Sequence, residues 1–256
     1  MLKKLIAFDL DGTLTPSKSP LPARMATQLN NLLDKFEVCI ISGGMFSQYQ
    51  QQLFSSQYLD SYKFYKLYIL PTCGTECYRF KNDKWDQIYS EEIDPKSRKK
   101  ISDALLEALD HFGYRPNKIY GAMVEDRKSQ VTLSVLGQDI VMMLGDEGVK
   151  LKEAWDPDNS KKQKIRDYVS SLIPEFEVRS GGLTSVDVTK PGIDKAYGMK
   201  KLMNILNLKK EEILFIGDRL KEGGNDYPVK AFGIDCLEIS HWQETAVAIE
   251  AILHVF

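Results

Sequence analysis

The stretch Leu5–Thr15, LIAFDLDGTLT, closes an apolar run with two aspartates, Asp9 and Asp11, and then turns at once through Gly12. A carboxylate at the end of a core strand is costly unless a cation or hydrogen bonds satisfy it. The stretch therefore implies a buried strand and something waiting at its carboxyl end that can accept negative charge.

The same rhythm continues. After KKLIAFDL, the segment PARMATQLNNLLDKF places Met25, Leu29, Leu32, Leu33 and Phe36 on one helical face. EVCIIS reads as a second strand, MFSQYQQQLF as a helix and KLYILP as a third strand. Fully apolar strands alternating with helices indicate a parallel sheet covered on both faces. The middle of the chain changes character. A helix over PKSRKKISDALLEALDHF precedes GAMVEDRKSQVTLSVLG, two antiparallel strands about a turn at Lys128–Ser129. A polar helix around KKQKIRDYVSSLI and a hairpin over EFEVRSGGLTSVDVTK follow. The first rhythm then returns: helix DKAYGMKKLMNIL, strand EILFIGD, helix near NDYPVKAF, strand IDCLEI and helix ETAVAIEAILHVF. The fold class is α/β, a doubly wound, mostly parallel, Rossmann-like sheet interrupted by an inserted α+β domain. The expected boundaries are residues 1–81 and 186–256 for the first and 82–185 for the second.

Composition excludes several classes. A net charge of −2 over 256 residues gives no general attraction to nucleic acid or to an anionic membrane. No apolar run is as long as a membrane span. The basic start MLKK meets aspartates too early for a signal peptide, and four cysteines suggest a reducing compartment, so a cytoplasmic protein is expected. Cys73 and Cys77 in CGTEC have no second pair or histidine cluster to complete a zinc site, and read as small buried thiols. The lysines at 161–164 read as a solvated helix face, and Trp85, Trp155 and Trp242 as packing residues, with a tryptophan near the domain boundary a candidate to line a crevice. His111, His241 and His254 share no motif.

In an open parallel sheet, ligands bind beyond the carboxyl ends of the strands. Asp9 and Asp11 follow the first strand, Ser42 with Gly43 and Gly44 the second, and Asp218 the strand EILFI, while Lys195 opens the helix after the insertion. Each alone is an ordinary turn or polar residue; acids, a hydroxyl and an amine at matching strand ends form a set suited to phosphoryl transfer. A carboxylate can act as nucleophile and form an aspartyl-phosphate, provided a cation offsets the charge of the phosphate. Oxygen ligands suit Mg²⁺, with Asp9 and Asp218 as carboxylate ligands and the backbone carbonyl of Asp11 a further one. Asp11 is placed to protonate the leaving oxygen and then activate water. Ser42, nearby backbone N–H groups including that of Gly43, and Lys195 would stabilise the phosphate oxygens.

These motifs resemble the haloacid dehalogenase superfamily: DLDGT, IISGG, GIDK and GDRLKEGGND are similar to its four motifs, in order along the whole chain. The resemblance implies that Asp9 is the nucleophile, Asp11 the general acid/base and Asp218 a metal ligand. Asn225 and Asp226 would support the metal or orient Lys195. The inserted domain is similar to the caps of the sugar-phosphatase branch, which carry substrate specificity and close over the site. Within the superfamily, GDRLKEGGND, VEDRKSQVTLSVLG and SVDVTKPGIDK resemble eukaryotic-type phosphomannomutases, which implies sugar contacts from Ser185 and Asp187.

The departures are informative. Of three cap arginines that grip a distal phosphate in such mutases, only Arg127 is matched; Tyr120 and Gln138 stand at the other two positions, and Lys18 replaces a core arginine. The second motif reads Ser42-Gly43-Gly44 where Gly-Gly-Ser is expected. Each lost charge-assisted hydrogen bond is worth about 1.5–3 kcal/mol, so a bisphosphate would be retained poorly and the aspartyl-phosphate would meet water. The expectation is a Mg²⁺-dependent phosphatase for a small phosphorylated metabolite such as a sugar phosphate, a monomer or a homodimer through the cap. The alternatives are a phosphomannomutase and, less favoured, a non-catalytic phospho-aspartate switch.

Overall fold

The computed structural model describes residues 2–255 and divides into two compact units. One comprises the chain up to Ser90 together with the chain from Ile193; the other is Glu91–Gly192. Among the described residues, no helix is long and apolar enough to cross a membrane.

The first unit is built on strands β1 (Leu5–Phe8), β2 (Glu37–Ile41), β3 (Leu67–Leu70), β4 (Glu76–Lys81) and β5 (Lys84–Ser90), with β10 (Ile213–Gly217) and β11 (Asp235–Glu238) from its second segment. They form one sheet in the order β11-β10-β1-β2-β3-β4-β5. The five strands from β11 to β3 run parallel, and β4 and β5 are antiparallel. The apolar strands are explained by two cores. Ile6 and Phe8 join the side chains of helices α1 (Ala23–Lys35) and α9 (Trp242–Val255) on one face. Leu5 and Ala7 join those of α7 (Lys195–Leu206) and α8 (Tyr227–Phe232) on the other. Helix α2 (Phe46–Tyr49) follows β2 and runs into a π-helical turn over Gln50–Phe54.

One close approach locates α7. Gly74 has φ +83°, and a Cβ there would lie 2.3 Å from the Cα of Gly198. Conversely, a Cβ on Gly198 would lie 2.8 Å from the carbonyl oxygen of Cys73. The first turns of α7 are thus pressed onto the loop after β3, and the Asp194 side chain caps the helix by accepting from the Tyr197 N–H at 2.9 Å.

The second unit contains strands β6 (Val124–Asp126), β7 (Gln130–Ser134), β8 (Glu177–Ser180) and β9 (Ser185–Thr189), antiparallel in the order β6-β7-β9-β8. Val131, Leu133, Val178, Val186 and Val188 form a core with Ile101, Leu105 and Leu109 of α3 (Pro95–Phe112) and Ile165 and Val169 of α6 (Ser160–Leu172). Two helices not expected from sequence, α4 (Ile140–Leu144) and α5 (Asp146–Trp155), precede α6.

The domain boundaries move from those expected. Asn82 and Asp83 both have positive φ (50° and 57°), the backbone of a tight hairpin turn, so β5 returns along β4 and residues 82–90 extend the main sheet. Trp85 consequently packs among Phe46, Phe54, Phe64 and Phe80, as the packing reading expects. At the other end, β9 pairs with β7 and β8, which carries the inserted unit through Gly192. The 161–164 lysines are not all solvated either. Lys162 is buried with Nζ donating to the Gly182 carbonyl at 2.8 Å, and Lys161 Nζ lies 5.0 Å from the Trp155 ring.

Gly198→Ala should destabilise the protein by ~1–3 kcal/mol, because a Cβ there would meet Ile41 Cδ1 and also the Cys73 carbonyl oxygen and Gly74 Cα, backbone atoms that cannot rotate away. Urea unfolding of the variant against wild type measures this; an unchanged midpoint would contradict such close packing.

Candidate active site

Asp9, Ser42 and Asp218 each lie directly beyond the end of a parallel strand, and the three strands β2, β1 and β10 are neighbours. Lys195 is the first residue of α7, and its ammonium is the centre of the arrangement. Its Nζ donates to Asp9 Oδ1 and to Asp226 Oδ1, the latter at 2.5 Å, with the lysine side chain wholly buried. The second oxygen of Asp226 accepts from the Arg219 N–H at 3.0 Å, which folds the loop after β10 back onto the site. Asp226 therefore orients Lys195.

Asp9, Asp218 and Asp226 each offer a carboxylate oxygen, and these atoms lie within 4.8 Å of one another. Two glycines make room for them. A Cβ on Gly12, which has φ +87°, would lie 2.8 Å from Asp218 Oδ2, and one on Gly217 would lie 2.5 Å from Asp226 Oδ2. Three carboxylates against one ammonium leave an excess of negative charge. Burial pushes the Asp9 carboxyl up to about 8 against the pull of Lys195, and Asp226 and Asp218 push it the same way. Asp218 is also raised, by burial and then by Asp226. Burial opposes the charge on Lys195, but Asp226 and Asp9 outweigh it and hold its pKa above the usual lysine range. Asp218 Oδ1 is buried and accepts no hydrogen bond. A hard divalent cation fits this donor set: it would use the unpartnered oxygen and offset the excess charge.

The remaining expected residues are distributed as follows. The Ser42 hydroxyl is buried and accepts from the Gly44 N–H at 3.3 Å. Gly43 follows it, and a Cβ there would meet nothing within 4 Å. Asp11 is outside the carboxylate cluster and is held by neutral donors: the Lys18 N–H at 2.6 Å, Gln48 Nε2 at 2.8 Å and Gln52 Nε2 at 3.1 Å. Asn225 is exposed, unlike its buried neighbour Asp226.

In the inserted unit, Ser185 and Asp187 share the polar face of β9 with Ser134 and Thr132 of β7 opposite them. Asp187 Oδ1 accepts from Thr132 Oγ1 at 2.7 Å and Gln130 Nε2 at 3.0 Å, and the Ser185 and Ser134 hydroxyls are 3.1 Å apart. Arg127 donates from Nε to Glu125 at 2.7 Å. Tyr120 and Gln138 lie on backbone segments bonded beside these strands, through Tyr120 N–H to Leu136 and Gln138 N–H to Ala122, both at 3.0 Å. Sequence reasoning missed Arg179, which stands opposite Asp187 on β8 with its guanidinium on Glu177, and missed Gln48 and Gln52. For Arg179 the alternation of EVRS was a usable signal.

A family model of haloacid dehalogenase-like hydrolases matches residues 6–228. The chain belongs to the haloacid dehalogenase-like hydrolase family. Its match to phosphomannomutase 1 of Homo sapiens is 26% identical and covers 89% of this chain and 83% of that one. The phosphomannomutase of Encephalitozoon cuniculi is 25% identical, with 89% and 84% covered. Among solved structures, an IMP-nucleotidase of Plasmodium falciparum bound to IMP aligns with TM-score 0.70 at 19% identity, over 99% of this chain and 68% of that one. A haloacid dehalogenase-like hydrolase from Bacteroides thetaiotaomicron aligns with TM-score 0.64 at 17% identity, over 99% and 100%. These structural likenesses concern the fold. The protein is an enzyme of the superfamily's phosphoryl-transfer class.

Lys195→Met should cost on the order of 3–5 kcal/mol, because it leaves Asp9 and Asp226 buried without their cation. Denaturant unfolding in the presence of a chelator checks it; a loss below ~1 kcal/mol would mean that the ammonium is not what holds these carboxylates.

Proposed function

We propose that the protein is a Mg²⁺-dependent phosphatase acting on a small phosphorylated metabolite, a sugar phosphate being the favoured class, through an aspartyl-phosphate on Asp9. The observation that carries this reading is the Asp9–Lys195–Asp226 chain with the unpartnered Asp218 oxygen beside it. It unites a positioned carboxylate, a buried ammonium and an excess of negative charge that suits a divalent cation.

Asp9 attacks phosphorus as the bond to the leaving oxygen breaks, and Asp11 gives that oxygen a proton. Asp11 then takes a proton from water, whose oxygen attacks the phosphorus of phospho-Asp9 and frees phosphate. Lys195, the Ser42 hydroxyl and the backbone N–H groups at Gly43 bind the transferring group's oxygens. Asp9 and Asp218 would hold Mg²⁺, with Asp226 and Asn225 supporting it; the ion supplies positive charge that lets two anions approach. The inserted unit would select the substrate, with Ser185, Asp187, Arg127, Tyr120 and Gln138 as its contacts.

The phosphomannomutase relatives favour a second reading, transfer of phosphate between two hydroxyls of a hexose. Against it, residues 120 and 138 carry no guanidinium, and Arg127 is paired with Glu125. A mutase must retain a bisphosphate intermediate, which calls for cations at the distal phosphate.

A panel of sugar phosphates assayed with Mg²⁺ should release inorganic phosphate, and Asp9→Asn should reduce release by ~10³-fold or more. Interconversion of mannose 1- and 6-phosphates with little free phosphate would favour the mutase instead. Separately, saturating Mg²⁺ should raise the unfolding temperature of wild type, by an amount equivalent to about 2.7 kcal/mol at a hundred times Kd. Asp218→Asn should abolish most of that shift in a thermal melt.

A further inference from the structure

Asp11 accepts from three neutral donors, and two of them come from one short helical segment. Gln48 Nε2 donates to Asp11 Oδ2 and also to Gln52 Oε1, at 2.8 and 2.7 Å. Gln52 is buried, and its Nε2 donates to Asp11 Oδ1 at 3.1 Å and to the Ser19 carbonyl at 3.1 Å. The two amides are therefore interlocked. Turning Gln52 over would set its own oxygen against the Asp11 carboxylate and the Ser19 carbonyl, both acceptors, so chemistry fixes its orientation. That in turn fixes Gln48, whose amide must offer N–H both to Asp11 and to Gln52.

Two further features serve this clamp. The glutamines are four residues apart, spanning the change from α2 to the π turn that Ser55 closes by donating to the Gln50 carbonyl at 3.1 Å. Such turns are rare in helices and recur at functional sites. In addition, the Cα of Gly44 lies against Gln48: a Cβ there would be 1.8 Å from Gln48 Oε1. The glycine that ends Ser42-Gly43-Gly44 is what lets this amide reach Asp11.

We propose that Gln48 and Gln52 are positioning residues for the acid/base step, holding the Asp11 carboxyl where it can hand its proton to the leaving oxygen. The inference rests on the phosphoryl-transfer reading above. In the step concerned, the Asp9 O–P bond forms, the P–O bond to the leaving group breaks, and the Asp11 proton passes to that oxygen. The amides suit the task because they reach both carboxylate oxygens, Gln48 on Oδ2 and Gln52 on Oδ1, and so fix the direction of the carboxyl.

The consequence is selective. An alkoxide leaving group needs the proton, whereas p-nitrophenolate leaves well without it. The readout is kcat/KM, which covers the steps through phosphorylation of Asp9 and so includes leaving-group departure. Wild type, Gln48→Leu, Gln52→Leu and Gly44→Ala are compared on p-nitrophenyl phosphate and on a hexose 6-phosphate, each with Mg²⁺, after thermal melts establish that each variant folds. The glutamine variants should lose ~10–100-fold on the hexose phosphate, part of what a general acid supplies, and at most a few-fold on the aryl phosphate. Gly44→Ala, which removes no amide, should show the same selective loss by displacing Gln48. Equal losses on both substrates, or none on either, in folded variants would overturn the proposal while leaving the phosphatase reading intact. A wild type that releases phosphate from neither substrate would overturn both.

Discussion

A buried ammonium shared by two carboxylates is the interaction on which the rest of this site depends. Lys195 cannot be charged in an apolar interior without Asp9 and Asp226, and they cannot be charged without it. Yet the balance is incomplete, because Asp218 adds a third acid with one oxygen unpartnered. A structure needing only stability would sooner bury apolar residues here than an unbalanced ionic cluster. Such an excess of charge suits a cation, and a cation with a phosphate is what the proposed phosphoryl transfer at a carboxylate requires.

Placing that lysine takes more than a helix of the right length. The helix must arrive within backbone contact of the loop after β3, which the facing Gly74 and Gly198 permit. The strand-end carboxylates likewise need neighbours without side chains, which Gly12 and Gly217 supply. The site is therefore specified twice, once by the groups that react and once by residues whose contribution is the absence of a Cβ. Glycine costs conformational entropy on folding, and the core sheet, covered on both faces, supplies the burial that offsets it.

The parallel half of the main sheet was legible because its strands are buried on both sides and read as unbroken apolar runs. The acids were legible for the complementary reason, as charges where such runs stop. Other parts were hidden by physics that sequence periodicity does not carry. The β4–β5 hairpin turns on Asn82 and Asp83 in left-handed conformations without the usual glycine, and its strands are half exposed, so the apolar signal is weak. Helices α4 and α5 divide at Gly145 and leave Met142 and Met143 exposed, which defeats a one-face pattern. Lys162 looked like one of several solvated lysines, but its burial follows from the tertiary contact with the Gly182 carbonyl. MFSQYQQQLF reads only as a helix; the π turn and the approach of Asp11 show two of its glutamines to be hydrogen-bond donors to a carboxylate.

The two aspartates that open the fold end in opposite surroundings although one residue separates them. Asp9 is sealed beside a cation, where burial raises its carboxyl and a second cation would return it to the charged form a nucleophile needs. Asp11 is part exposed and accepts from the Lys18 N–H and from the Gln48 and Gln52 amides, neutral dipoles that set its direction. Under the phosphoryl-transfer reading proposed above, environment alone assigns chemically identical groups different tasks, the one to bond phosphorus and the other to move hydrogen. Exchanging the two environments would leave the composition of the site unchanged and defeat that reading, because neutral dipoles around Asp9 would not offset the charge of an approaching phosphate.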